Sequence, residues 1–298
     1  MRVFRHFPKT LQLPCAVAIG NFDGMHLGHQ ALLKKLVETA QANHLRSAVM
    51  TFEPHPREFF SAATAPTRLS SLREKLEHFA EAGVENTYVC RFNQAFAKLS
   101  PQQFMQMILQ DSLNAQSILV GDDFRFGAMR AGSVLDFTAA KFNLVSLPQV
   151  DLQEARVSST RVRLALAAGN LPAATELLRR PYSISGKVVH GAKRGRELGF
   201  PTANVHMWHE RPALTGVYAV KLDGLNAVAN LGVRPTIAGT AKLMLEVHVL
   251  DFEGDLYGKH VHVEFLHKIR EEMKFASLDA LKAQIKKDVA VARDLFEI

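Results

Sequence analysis

The sequence predicts an α/β domain followed by an all-β domain, α/β plus β in a single chain of 298 residues. Two patterns carry that expectation. Up to about residue 147, short β-rich runs alternate with amphipathic helical stretches, which argues a parallel sheet with right-handed crossovers. Beyond Pro181, β-rich runs follow one another with no helix between them, the pattern of an antiparallel barrel or sandwich. A chain this long also exceeds one comfortable core. The change of character near residue 181 divides it into domains 1–180 and 181–298.

In the first part, strands are expected at Cys15–Gly20, Ala48–Phe52, Asn86–Cys90, Ser117–Gly121 and Leu144–Leu147. Between them, Leu32, Leu33, Leu36, Val37 and Ala40 form one apolar helix face, and Leu72, Leu76, Phe79 and Ala80 another. Ser100-Pro101-Gln102-Gln103 is a capping box with proline at the first helical position. Two further helices, Arg161–Ala168 and Pro172–Arg180, are broken at Gly169-Asn170. Strands then follow at Ser183–His190, Val217–Leu222, Ala227–Leu231, Leu243–Leu250 and His260–Leu266. A last helix opens at Ser277 as N-cap, with Leu278, Leu281, Ile285 and Val289 on one face.

Composition removes several classes. With 47% apolar and 22% charged residues the chain is neither disordered nor collagen-like. Two cysteines, Cys15 and Cys90, make neither a disulfide framework nor a four-cysteine zinc site. No apolar run approaches the roughly 18 residues needed to span a bilayer, and the N-terminal stretch lacks the apolar core of a signal peptide, so no membrane partner is expected and the expected location is cytoplasmic. A net charge of +7 favours anionic partners: nucleic acid, phosphorylated small molecules or an acidic membrane surface. With four Tyr, one Trp and no aromatic stripe, nucleic acid is not expected.

Gly20-Asn21-Phe22-Asp23-Gly24-Met25-His26-Leu27-Gly28-His29 leaves a strand and opens a helix. Glycines there allow a tight turn and close approach to a ligand, and the helix start offers free N–H groups to a phosphate. His26 and His29 project from one face and can neutralise charge on a phosphoryl group in its transition state. An isolated His-x-x-His pair reads more often as surface histidines beside a turn; Gly28 and the strand–loop–helix context point the other way. Ser158-Ser159-Thr160 stands before a helical pattern carrying Arg161 and Arg163. Hydroxyls and amides there suit phosphates, and Arg163 can make a forked contact to a departing pyrophosphate. Alone, this is an ordinary N-cap with solvated arginines.

In the second part, Gly191, Gly195 and Gly199 are interleaved with Lys193, Arg194 and Arg196, a flexible basic loop suited to polyphosphate but not a Walker A motif. Thr202 and Asn204, two apart in an extended segment, point the same way and offer hard oxygen ligands suited to Mg²⁺. Glu246 lies in an alternating run with Met244, His248 and Leu250 on its face. A mid-strand glutamate can take the proton of an alcohol attacking a γ-phosphoryl group, although a solvated strand glutamate is the commoner case. His248, His262 and His267 read as surface or packing histidines.

His26-Leu27-Gly28-His29 with Ser159-Thr160-x-x-Arg163 resembles the nucleotidyltransferase superfamily signature. Thr51–Pro56 and Gly121–Gly127 narrow the resemblance to the FAD synthetase module of the prokaryotic bifunctional riboflavin kinase/FAD synthetases. Gly199–Asn204, Asn230–Thr236, Leu245–His248, Asp251–Gly258 and Arg270–Phe275, in that order, are similar to the riboflavin kinase module of the same family. The resemblance implies a Rossmann-like nucleotidyltransferase domain and a six-stranded barrel with a C-terminal helix. It implies phosphorylation of riboflavin to FMN, then adenylylation of FMN to FAD, with ATP as co-substrate and Mg²⁺ required. In the adenylyltransferase, Gly20, Phe22, Asp23, Gly28, Ser159, Thr160 and Arg163 would bind ATP, with His26 and His29 catalytic. His55, Asp123 and Phe124 would meet FMN, although Glu53–Pro56 also reads as a rigid turn and Phe124 as core. In the kinase, Gly191, Lys193, Gly195, Thr202 and Asn204 would bind ATP, Thr202 and Asn204 its metal. Glu246 would activate the 5′-hydroxyl, and Arg270 would contact flavin. Partners would be small-molecule substrates, with self-association undetermined. A single-activity kinase with a silent adenylyltransferase is the runner-up.

Overall fold

Strand β2 (Cys15–Ile19) is apolar at every position and buried throughout, the mark of a central strand covered on both faces. Around it a computed structural model builds a six-stranded sheet. The structure describes all residues but Lys9, Leu11, 192–198, 208–210 and 235–241; of 233, 234, 242 and 243 it describes the backbone alone. Contacts divide the chain into two units, Met1–Pro66 with Leu72–Ser158, and Thr67–Ser71 with Ser159–Ile298.

In the first unit the sheet order is β1 (Arg2–Phe4), β4 (Asn86–Arg91), β3 (Arg46–Glu53), β2, β5 (Ala115–Gly121), β8 (Asn143–Leu147). Every pairing is parallel. Two-residue strands form small ribbons, β6 (Arg125–Phe126) with β7 (Gly132–Ser133), and β9 (Asp151–Leu152) with β10 (Ala155–Arg156). The order reverses between β2 and β5, so the loops after these two strands open at the crevice where α/β sheets bind ligands.

Alternate strand residues feed two core layers. Val17, Ile19, Met50, Tyr88, Ile118 and Val120 face one layer, and Ala16, Ala18, Val49 and Leu119 face the other with Leu33 and Leu36 of helix α1 (Leu27–Ala42). Short α2 (Pro56–Phe60) is followed by α3 (Leu72–Glu81), whose buried residues are Glu74, Lys75 and Phe79. Ala80, expected on the apolar face of α3, is exposed: the inward stripe is rotated toward two charged side chains. After α4 (Gln94–Ala97), the Ser100 capping box forms as expected. The Gln103 amide donates to Ser100 Oγ at 3.1 Å, and the Ser100 amide donates to Gln103 Oε1 at 2.9 Å. It starts α5 (Pro101–Gln103), which continues as a π-helix over Phe104–Ser112, and α6 (Val134–Ala139) follows.

The second unit holds α7 (Ser159–Ala167), α8 (Leu171–Leu178) and a closed antiparallel barrel. Its strands are β11 (Tyr182–Val189), β12 (Ala203–His206), β13 (Gly216–Leu222), β14 (Leu225–Arg234), β15 (Lys242–Val249) and β16 (His260–Arg270). They close in the order β11-β12-β15-β14-β13-β16, which decides for a barrel over a sandwich. Helix α9 (Leu278–Phe296), capped by Ser277 Oγ accepting from the Ala280 amide, lays Val289, Ala292 and Phe296 over Val217, Ala219, Val228 and Leu250. Leu278, expected on that apolar face, is 68% exposed; the residues docked on the barrel begin at Val289.

Candidate functional site

The loop after β2 carries three residues in the left-handed region, Phe22 (φ 50°), Gly24 (φ 84°) and Met25 (φ 47°). This bend drives the Phe22 ring into the core, edge-on to Phe79 with centroids 5.1 Å apart, and against the His29 ring at 5.3 Å. His26 and His29 stack face to face, centroids 3.7 Å apart and 16° from parallel. A Cβ on Gly28 would stand 3.3 Å from the His26 ring, so glycine leaves that ring room to stack. Asp23 is buried as well.

The His29 ring Nδ1 is buried, and desolvation pushes the imidazole pKa well below the ordinary 6.5; His26 and Lys75 push the same way. The imidazole is therefore neutral at neutral pH. Among the described residues its Nδ1 has no hydrogen-bond partner, nor has the buried Oδ1 of Asn21. A neutral, ring-stacked imidazole is an oriented hydrogen-bonding group. Lys75, only 2% exposed, is the residue sequence reading missed. The signal available was one lysine inside an otherwise amphipathic helix, which reads by default as a solvated face.

His55 is the N-cap of α2: its Nδ1 accepts from the Arg57 amide at 3.1 Å, and the Glu58 carboxylate accepts from the His55 amide at 3.1 Å. Beside it, Phe59 and the 70%-exposed Phe60 pack on Phe92 at 5.5 and 5.8 Å, an aromatic cluster not foreseen from sequence. Asp123, in the loop after β5, pairs with Arg156 at 2.7 Å. Phe124 stacks toward Phe126 and Phe137, both buried in the core. Ser159 and Thr160 open α7, and Arg163 Nε donates to the Thr67 carbonyl at 2.6 Å. These last residues belong to the second unit, His26 and His29 to the first.

On the barrel, register assembles what the sequence only spaced. Asn204 on β12 pairs with Glu246 on β15, and Glu246 pairs on its other side with Asn230 on β14. Side chains of directly opposed residues stand on the same face with Cβ atoms about 5 Å apart. The three therefore form a polar row across adjacent strands. Asn204 is 6% exposed, and a Cβ on Gly191 would lie 2.3 Å from its amide nitrogen, so the Gly191 backbone closes directly over that side chain. His248, two residues from Glu246, has its Nδ1 2.8 Å from the Pro201 carbonyl oxygen and its ring edge-on to Phe200, anchoring the segment that carries Thr202. Lys193 and Gly195 lie outside the described residues. Arg270 grips Asp288 of α9, with Nε–Oδ1 at 2.9 Å and Nη2–Oδ2 at 2.7 Å, and lies over the Phe275 ring.

Apart from these sites, a cavity of about 410 Å³ opens by the carboxyl ends of β1 and β4 between Phe4, Phe7, Phe96, Arg5 and Arg91. None of the sequence-predicted site residues lines it. Among the described residues no three His, Cys, Asp or Glu side chains gather to hold a metal.

A parallel sheet with a stacked histidine pair at its switch point, joined in sequence to a barrel with a polar row, defines a two-module nucleotide-dependent transferase. Residues 9–161 match the family model for FAD synthetase, and residues 178–296 that for riboflavin kinase. The bifunctional riboflavin kinase/FMN adenylyltransferase of Escherichia coli is 46% identical, over 99% of this chain and 98% of that one. Its Pseudomonas fluorescens counterpart is 49% identical, over 94% and 93%. The chain belongs to the bifunctional riboflavin kinase/FMN adenylyltransferase family. A solved structure from Streptococcus pneumoniae, described as a macrolide-efflux protein, superposes with a TM-score of 0.81 at 32% identity, covering 98% of this chain and 99% of that one. Among the described residues of this chain no helix is long and apolar enough to cross a membrane.

Proposed function

We propose that this chain phosphorylates riboflavin to FMN on its barrel, residues 181–298, and adenylylates FMN to FAD through residues 1–180. The observation that carries the reading is the occurrence of both family matches in one chain, each on the fold its chemistry needs. In the kinase step the ribityl 5′-hydroxyl attacks the γ-phosphorus of ATP, Glu246 takes the hydroxyl proton, and ADP leaves. Thr202 and Asn204 offer a hydroxyl and an amide oxygen, hard donors that fit Mg²⁺, and Gly191 backs the amide closely. A Mg²⁺ bound there with ATP supplies charge neutralisation at the phosphates.

In the second step an FMN phosphate oxygen attacks the α-phosphorus of ATP and pyrophosphate leaves. The nucleophile is already an anion, so positioning and charge stabilisation suffice without a strong base. His26 and His29 serve that stabilisation, and Ser159, Thr160 and Arg163 are proposed for the phosphates. Asp23 and the glycines at 20 and 28 shape the nucleotide loop, while the Phe22 ring holds His29 from beneath. His55, Asp123 and Phe124 are proposed to meet FMN. The test is incubation with riboflavin, ATP and Mg²⁺ and chromatographic separation of flavins over time. FMN first and FAD later is the expected course; no FAD from supplied FMN would overturn the adenylyltransferase half.

A further inference from the structure

The cavity at the ends of β1 and β4 stands apart from both catalytic sites. Strand β4 lies two places from β2 in the sheet, so strand spacing alone sets the cavity about 10 Å from the strand that feeds the His26–His29 loop. Its volume of about 410 Å³ suits a small organic molecule. Burial separates its floor from its rim. Of the lining residues, Tyr88, Val89, Cys90 and Ile108 are buried, whereas Arg5, His6, Arg91 and Ala95 are exposed. Between them stand the half-buried rings of Phe4, Phe7 and Phe96, with Phe4 stacked on Tyr88 at a centroid distance of 4.9 Å and 19° from parallel. The interior is aromatic and the mouth is basic.

No Asp or Glu lines the cavity. Neither Arg5 nor Arg91 forms an ion pair with a described residue, and Glu53, opposite Arg91 in the β3–β4 register, lies outside the lining. Burial pushes the Cys90 thiol up to about 12, and burial together with Cys15 pushes the Tyr88 phenol up to about 12, so neither adds negative charge at neutral pH. Rings favour a flat partner in stacked or edge-on contact, and a guanidinium presents a fork that matches a carboxylate or phosphate. We propose that this cavity is a binding site for a planar aromatic anion, its ring among Phe4, Phe7 and Phe96 and its charged group held at the mouth by Arg5 and Arg91. The site is separate from both reactions. Its ligand ties the three-residue edge strand β1 to β4 and α4, and so stabilises the folded chain by mass action.

The test is a fluorescence titration of the full chain with anilinonaphthalene sulfonate, a planar aromatic anion. Saturating ATP and FMN are present without Mg²⁺, to keep the probe out of the catalytic sites. One probe is expected to bind per chain and to raise the melting temperature. Arg5→Gln and Arg91→Gln each weaken binding about tenfold, the loss of one charge-assisted contact. Ala95→Trp, which fills the mouth from an exposed position, abolishes binding, and all three variants make FMN and FAD at wild-type rates. Phenylnaphthylamine, which has the same rings and no sulfonate, binds about tenfold more weakly. Unchanged affinity in Ala95→Trp, or equal affinity for the uncharged probe, overturns the proposal. Should Ala95→Trp fail to fold, the Arg5→Gln/Arg91→Gln double variant carries the test, and wild-type affinity there overturns it. Two competitors at millimolar concentration separate the sources of the anion. Displacement by pyridoxine phosphate assigns the site to aromatic phosphates, displacement by indole acetate to aromatic carboxylates, and displacement by neither overturns the proposal.

Discussion

At the scale of single residues, burial decides what the histidine pair can do. Unfolded, the His29 imidazole takes up a proton near its ordinary value of 6.5; folded, it does so only well below. Between those limits the unfolded chain binds more protons, so stability falls as the pH drops below about 6.5, by up to about 1.4 kcal/mol per pH unit. Removing the titrating group removes that slope. The melting temperature of His29→Asn is therefore expected to decline less steeply than wild type between about pH 7 and pH 5.5, the window set by this shift. Equal slopes would place the pH sensitivity elsewhere. Gly191 offers a second test. Its missing side chain is replaced in space by the Asn204 amide, 2.3 Å from where a Cβ would lie, so Gly191→Ala must displace Asn204. A raised KM for ATP in the kinase step, roughly tenfold for one lost polar contact, is expected, with FAD formation from FMN unchanged.

Among the elements, α9 is held to the barrel by an apolar strip and one buried ion pair. Asp288 is 4% exposed in its side chain and accepts two-pronged donation from Arg270, plus a bond from Gln284 Nε2 at 2.9 Å. Asp288→Ala leaves the guanidinium, only 18% exposed, without its carboxylate, and is expected to destabilise the barrel by about 3 kcal/mol, measured by chemical unfolding. Asp288→Asn, which retains two acceptor lone pairs, is expected to lose less. The same helix marks what sequence could and could not tell. Its cap at Ser277 and its apolar period were readable because both are local. The buried Asp288 was not, since a charge inside an apolar stripe makes sense only with Arg270, 18 residues away in sequence and brought alongside by the barrel. Lys75 on α3 hid for the same reason, and β1 because three residues at a sheet edge carry no alternation to read. The β12–β15–β14 row shows the complementary case: Asn204 and Glu246 were legible as types in a pattern, but their adjacency, and Asn230 beside them, came only with register.

For the whole molecule, two reactions in one chain make one product the other's substrate. FMN must leave the barrel chemistry as a phosphate monoester and enter the adenylyl chemistry as a nucleophile, and each step consumes its own ATP. Nothing in either step requires the same chain to perform both. Glu246→Gln is expected to stop FMN formation and leave FAD formation from added FMN intact. His29→Ala is expected to do the reverse, slowing adenylyl transfer by about a hundredfold, the loss of one oriented donor to a developing charge. Neither variant alone then makes FAD from riboflavin. An equimolar mixture is expected to do so after a lag, because FMN released by the His29→Ala chain reaches the intact adenylyl site of the other through solution. The lag should shorten as both concentrations rise together, since the intermediate then builds up sooner. A mixture that accumulates FMN but never FAD, while the Glu246→Gln chain still converts FMN supplied from outside, would show that the intermediate stays bound where it was made.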